Sequence, residues 1–300
     1  MEEIKTVNKK NRIFVLIGLV VFVIAFILVF KMFKNESEKR SVYLEDEQAD
    51  TANYINITAS IVTIDPNKGD MSVRLDFFPK GTLADDKEFL NEEIDLFVNS
   101  ATGKQEYSFA KGRVMSPIDV TLNLYDGLIT DYPLDKHKAE LILITSKKVK
   151  SDKSPADSKD NSTESVDVDN GISFSGSVTG YKIKAELDPE SGGPTTDLNI
   201  EIERAGSVMF FSFFVMGVMW MLIIMLCFML YGILVNGRKV EIAMFAFAAA
   251  LLFAFPAFRN MMPLAPPIGA FPDFVAFFWA EAFAAGTLII LIGTFLFRKQ

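Results

Sequence analysis

Residues 197–235 read "DLNIEIERAGSVMFFSFFVMGVMWMLIIMLCFMLYGILV". From Asp197 to Glu203 polar and apolar residues alternate with period two, the mark of a strand with one buried face. The alternation ends at Arg204, and a long apolar run extends from Val208 to Val235. That run exceeds the roughly 20 helical residues needed to cross a bilayer. Only "AGS" separates strand from span. So short a linker decouples two rigid bodies poorly, so movement of a β domain should tilt or rotate the helix that follows.

Three further stretches are long and apolar enough to act as spans. They are Ile13 to Phe30, Ile242 to Phe258 and Phe274 to Phe297. The first is longer than a signal-peptide core and is followed by "KMFKNESEK" instead of a small-residue cleavage site, so it reads as an uncleaved signal anchor. Orientation follows from the basic flanks. Lys5, Lys9, Lys10 and Arg12 precede the first span, Arg238 and Lys239 fill the turn after the second, and Arg298 and Lys299 follow the fourth. Four spans put all of them on one side, and the positive-inside rule makes that side cytoplasmic.

The resulting map has a cytoplasmic N-terminus (1–12), a signal-anchor helix (13–33) and an extracytoplasmic domain (34–206). A second span (207–235), a cytoplasmic turn (236–241) and a third span (242–258) follow. An outer Pro-rich hairpin (259–273), a fourth span (274–297) and a cytoplasmic C-terminus (298–300) complete it. This is a multi-pass protein of the cytoplasmic membrane, with lipid as its first partner.

Upstream of Asp197 the same alternation recurs in "YINITASIVTI", "MSVRLDFF", "EIDLFVN", "IDVTLNLYDG", "AELILIT" and "ISFSGSVTGYKIKAEL". "DPNKGD", "SATGK" and "DPESGGP" supply turns between them. Seven or eight short strands with one polar face predict an antiparallel β-sandwich. The expected class is therefore an α+β membrane protein, with four transmembrane helices and an extracytoplasmic antiparallel β-sandwich. A trace of helical period is confined to "LADDKEFLNEE". Residues 148–171 are rich in Ser, Asp and Lys, a composition that predicts a mobile acidic loop. Within it "DVDNG" has the flavour of a calcium loop but lacks the completing Glu.

Residues 34–206 carry 20 Lys+Arg and 33 Asp+Glu, a formal charge of 20 − 33 = −13. Such a domain is a poor partner for nucleic acid or anionic lipid headgroups. Cys227 is the single cysteine and lies in the second span, so the exterior holds no disulfide. His137 is the single histidine, so any His-based metal site or catalytic triad would rest on it alone. No zincin motif, nucleophile elbow, P-loop or glycine fingerprint is present, and no cofactor or catalytic residue is expected.

Two stretches stand out. "DGLITDYPLDKHKAEL" (Asp126 to Leu141) reads as a rigid corner, with Tyr132, Pro133 and Asp135 as candidates for contact with the membrane domain. Over four residues, "YPLD" resembles the Phe-Pro-x-Asp corner of pentameric ligand-gated channels. This chain lacks that family's neighbouring cysteines, and it has one span before its ectodomain and three after it. The other stretch is "RNMMPLAPPIGAFPDFVAFFWAE" (Arg259 to Glu281). Its prolines leave few N–H donors to satisfy at the interface. Pro272-Asp273 reads as a helix start, with Asp273 near the N-cap and Glu281 about 12 Å deeper at 1.5 Å per residue. Arg259, Asn260, Asp273 and Glu281 form a candidate cluster, with Arg259 neutralising Glu281. Ala280 and Ala284, four apart, allow close helix packing.

The order of parts, "YPLD" and "RNMMPLAPPIGAFPDFVAFFW" resemble a bacterial membrane-protein family catalogued as a domain of unknown function. The resemblance implies one N-terminal span, an extracytoplasmic β domain and three C-terminal spans, and implies no activity. The expected function is a non-enzymatic envelope protein: a sensor, scaffold or accessory subunit whose β domain binds a ligand or partner. That partner is another membrane or envelope protein, or further copies of the chain. The alternative is an oligomeric channel or transporter subunit that uses Glu281 within the membrane.

Overall fold

A computed structural model describes residues 16–17, 19–20, 23–24, 26–27, 29–31, 34, 41–45, 52–150 and 163–297. The described positions between 16 and 34 are helical and exposed, and Met1–Lys39 forms a unit of its own. The remainder of the expected signal anchor lies outside the described residues, as do both expected cytoplasmic termini and residues 151–162.

Eleven strands among the described residues form two sheets. One has the order β1 (Val42–Glu45), β9 (Asp169–Gly176), β2 (Tyr54–Asp65), β3 (Asp70–Pro79), β6 (Ile118–Asn123). The other has the order β10 (Tyr181–Leu187), β11 (Thr195–Arg204), β7 (Lys136–Lys150), β4 (Ile94–Val98), β5 (Glu106–Phe109). β8 (Thr163–Asp167) pairs with the far end of β7. Period-two patterning turns one face of each strand inward. Ile55, Ile57, Val73, Leu75, Leu141, Leu143, Leu198 and Ile200 thereby fill one core between the sheets.

Two expectations are corrected. The sandwich is not wholly antiparallel, because β2 and β9 run parallel from Tyr54↔Asp169 to Ser60↔Ser175. Alternation reports which face is buried and carries no information on the neighbour's direction. Nor is 148–171 a loop throughout. β7 continues to Lys150, β8 returns beside it, and the chain crosses at Val168 to the other sheet as β9. The crossing is held by polar groups that composition alone marks as solvated. Buried Asn170 donates to Thr145 Oγ1 at 2.9 Å and to the Pro194 carbonyl at 2.7 Å, and accepts from the Thr196 hydroxyl. Asn170→Ala strands the buried Thr196 hydroxyl and removes one of two bonds from Thr145 Oγ1 and from the Pro194 carbonyl, which keep the Val168 carbonyl and the Thr145 N–H. We expect a loss of about 1–3 kcal/mol, read from the shift of the thermal midpoint.

"LADDKEFLNEE" holds no α-helix; Asp85 Oδ1 accepts from the backbone N–H of Lys87 and Phe89 and closes a turn.

Three helices among the described residues are long and apolar enough to cross a membrane. They are α1 (Gly206–Leu234), α2 (Ile242–Asn260) and α3 (Phe278–Phe297). A π-helical turn, Asp273–Phe277, leads into α3. Val215, Met219, Ile223 and Leu226 of α1 pack with Leu251 and Phe255 of α2 and with Ala276, Ala280 and Ala284. The last two alanines are fully buried, as close helix approach requires. Trp220 Nε1 donates to the Val275 carbonyl at 3.0 Å and ties α1 to the π turn.

Candidate functional site: the junction below the β domain

A single residue, Ala205, connects the end of β11 to the start of α1. Its N–H donates to the Gly180 carbonyl at 2.9 Å. The inward phase of β11 runs Thr196, Leu198, Ile200, Ile202 and then Arg204. Arg204 therefore points into the protein at the level where sandwich core gives way to helices. The same phase in β7 turns His137 inward below Ala139 and Leu141, and in β10 it turns Tyr181 inward below Ile183.

Asp135, just ahead of β7, completes the group. Arg204 Nε lies 3.0 Å from both Asp135 oxygens, and its Nη2 donates to Oδ2 at 2.8 Å. His137 Nε2 lies 2.9 Å from the same Oδ2. Arg204 Nη1 also donates to the Tyr181 hydroxyl at 3.2 Å and to the Leu264 carbonyl at 3.4 Å. The guanidinium carbon lies 5.2 Å from the Tyr132 ring centroid and 5.0 Å from that of Tyr181, within cation–π range. Arg204, Asp135, His137, Tyr132 and Tyr181 are all buried.

Burial by itself raises the pKa of Asp135. The hydrogen bonds from His137 and Arg204, with the charge of Arg204, outweigh that effect and hold it below the ordinary carboxylate value. Burial raises the pKa of both Tyr132 and Tyr181, which keeps both hydroxyls neutral.

The corner enters the helices through Tyr132. A 3-10 turn, Ile129–Asp131, and a cis Tyr132–Pro133 bond present its side chain downward. Tyr132 belongs to the cluster formed by the helices. Its hydroxyl donates to the Pro263 carbonyl at 2.7 Å and lies 2.7 Å from Ser212 Oγ on α1. Tyr132 therefore touches the helix leaving the β domain and the hairpin between the other two. Pro133 and Asp135 are buried beside it. Gly127 lies against the His137 ring, in space that a Cβ would fill.

The hairpin has its own buried pair. Arg259 donates to Asp273 from Nε at 2.8 Å and from Nη2 at 2.9 Å, and to the Pro267 carbonyl at 3.1 Å. Asp273 also accepts from the N–H of Gly269 at 2.7 Å and of Ala270 at 3.1 Å. Helical backbone begins at Phe271, so Asp273 lies near the N-cap as the third helical residue and reaches back in the manner of a capping box.

The expected four-residue cluster is corrected accordingly. Arg259 and Asp273 come together, whereas Asn260 is exposed and Glu281 is not in the pair. Glu281 lies two helical turns beyond Asp273, and Asp273 takes the whole guanidinium fork. Glu281 Oε1 is buried with no hydrogen-bond partner among the described residues. Arg204, His137, Tyr181 and Ser212 are site members that sequence reading missed, although strand phase marks the first three.

Leu264 closes the contact between hairpin and β domain. It has φ 53°, a left-handed conformation uncommon outside glycine, and its side chain packs on Gly180, itself at φ 88°. A Cβ at Gly180 would overlap Leu264 Cδ1. Gly180→Ala thus combines a strained backbone with a clash. A loss of about 1–3 kcal/mol is expected, checked by thermal unfolding in detergent.

Every polar side chain of the junction is engaged by another, leaving no nucleophile beside a free base. The group joins β7, β10, β11, α1 and the hairpin. Residues 45–202 match a family model described as a domain of unknown function, DUF4436. Residues 204–298 match a second domain of unknown function, DUF8686. No curated protein matches the chain. The two matched regions meet at Arg204, where strand gives way to helix. With more than half of its 300 residues inside the first match, the chain belongs to the DUF4436 domain family.

Proposed function

We propose that this chain is a non-enzymatic integral membrane protein of the cell envelope, serving as a sensor, scaffold or accessory subunit. Its β domain meets a ligand or partner outside the cytoplasmic membrane, and its helices receive the result. The observation that carries this reading is the one-residue passage from β11 to α1, clamped by Arg204, Asp135 and Tyr132. A tether would suffice if the two parts worked separately. The hydropathy of the N-terminal run and the basic flanks support a fourth span with both termini cytoplasmic.

Two measurements test the reading. With Cys227 replaced by Ser, an impermeant thiol reagent should label Lys104→Cys in intact cells and leave Gly237→Cys untouched. Labelling at Gly237→Cys contradicts the topology. Native purification of the full chain in mild detergent should yield a stoichiometric envelope-protein partner. A homo-oligomer with an axial cavity, and no such partner, would instead favour the second reading.

That second reading, a channel or transporter subunit, has one specific support, the Oε1 of Glu281, which has no hydrogen-bond partner among the described residues and lies within an apolar helix. It requires that Glu281→Gln abolish flux in reconstituted vesicles.

A further inference from the structure

Within α1, α2 and α3 the only carboxylate is that of Glu281. Its Oε1 is buried and has no hydrogen-bond partner among the described residues. Asp273, held by Arg259, marks the outer end of the helices, and Glu281 lies about 12 Å deeper. A carboxylate at that depth is costly unless a donor or cation meets it.

Two contacts fix what stands at the same level. Arg259 binds Asp273, so an equal distance inward along α2 reaches Leu251. Trp220 binds the Val275 carbonyl, so the same step along α1 reaches Leu226. From Ala248 to Ala254 and from Ile223 to Met229 no side chain carries an N–H or O–H, and only the weak S–H of Cys227 is present. One turn away on α3 stand Phe277, Phe278, Ala284 and Ala285, and Trp279 gives its N–H to the Phe274 carbonyl. The apolar run from Ile13 to Phe30 has no polar side chain at all. None of the apolar runs of this chain brings a donor to the level of Glu281.

The surface beside Glu281 has room for a helix. Ala282 is exposed, and Gly286 and Gly293 follow on the same side of α3. A Cβ on either glycine would meet nothing within 4 Å. Small residues in such a register let a second helix approach closely. The outward side of α1 differs, with Phe213, Ile224, Met225 and Phe228 exposed. The carboxylate identifies the occupant. Lipid tails carry no donor, and a second copy brings only the same donor-free level. Charge complementarity leaves a helix of another protein.

We propose that Glu281 is the docking residue for a transmembrane helix of a different protein, which brings an arginine or lysine to its level. The partner's helix lies along Ala282, Gly286 and Gly293, and its cation pairs with the Glu281 carboxylate away from water. The inference rests on the reading of this chain as a membrane-spanning accessory subunit, and it states the chemistry and the contact face of the partner.

The test uses the full chain in its native membrane, with the photoreactive p-benzoylphenylalanine at position 282 or, as a control, at position 224 in mid-α1. Irradiation should give lipid adducts at 224 and, at 282, an adduct to a different protein whose crosslinked peptide carries Arg or Lys in an apolar run. Without the photoreactive residue, Glu281→Ala should lower recovery of that partner in mild-detergent purification about tenfold or more. Glu281→Lys should abolish recovery, and changing the partner's cation to Glu in the presence of Glu281→Lys should restore it. Recovery unchanged by Glu281→Ala, or no rescue by the charge exchange, overturns the proposal. So does a crosslink at 282 to a second copy of the chain. Lipid adducts at 282 equal to those at 224 also overturn it and leave the spans standing. A control at 224 that takes up no lipid removes the membrane reading and the docking site with it.

Discussion

Asp135→Ala is expected to be among the most damaging single substitutions in the chain, costing about 3–5 kcal/mol, because it leaves a buried cation without its anion. The guanidinium of Arg204 would keep only the Tyr181 hydroxyl, the Leu264 carbonyl and two ring faces. Arg204→Ala should cost less, since Asp135 still has His137 at 2.9 Å. The double variant should recover part of the loss. Losses that add within about 0.5 kcal/mol, measured as midpoint shifts in detergent, would show that the pair does not act as a unit.

The same carboxylate sets the response to acid. Its folded-state pKa lies below the ordinary value, so the stability it contributes is fully present above the unfolded pKa, near 3.9. That stability is lost as pH falls through the depressed folded value. The junction should thus hold from neutrality to about pH 4 and loosen only below it, with Asp135→Asn abolishing that part of the acid transition.

Arg259→Ala and Asp273→Ala should each cost a further ~3–5 kcal/mol, by the same logic of a stranded buried charge. Asp273 also satisfies the N–H groups of Gly269 and Ala270, so its loss should be the greater and should open the hairpin that receives Tyr132. Asp273→Asn should recover little, because its amide cannot accept both arms of the guanidinium. Glu281→Gln should leave this pair intact, and its effect should add to that of Arg259→Ala within about 0.5 kcal/mol. Strong coupling between Glu281 and Arg259 would contradict the geometry.

How far the sequence discloses this arrangement depends on the kind of signal. Apolar length reveals α1, α2 and α3, because burial in lipid and burial in protein demand the same side chains. Period two reveals β2, β3, β7 and β11. It also contains more than was taken from it: extending the phase of β11 by two residues puts Arg204 on the core face, where a cation needs a buried anion. Direction of pairing is a different matter. Nothing in "NGISFSG" distinguishes a parallel neighbour from an antiparallel one, so the β2–β9 pair is not legible. The second residue of β9 is Asn170, whose burial rests on Thr145 and Thr196, each at least 25 residues away. Composition cannot report such contacts. Glu281 attracts attention by its depth, yet Asp273, in an unremarkable Pro-Asp step, is the residue that Arg259 binds. The choice is made by the path of the hairpin, which the sequence does not encode locally.

The claim that β domain and helices form one mechanical unit is tested most directly by comparing their unfolding in the full chain. Both tryptophans, Trp220 and Trp279, lie in the helical region, so tryptophan fluorescence, excited selectively over tyrosine, reports the helices alone. A thiol at Val120→Cys, a fully packed sandwich position, reports the β domain once Cys227 is replaced by Ser. On titration with denaturant the two probes should change at one midpoint, as a single cooperative unit requires, and Asp135→Ala should separate them. Two distinct midpoints with Asp135 and Arg204 intact would contradict the coupling.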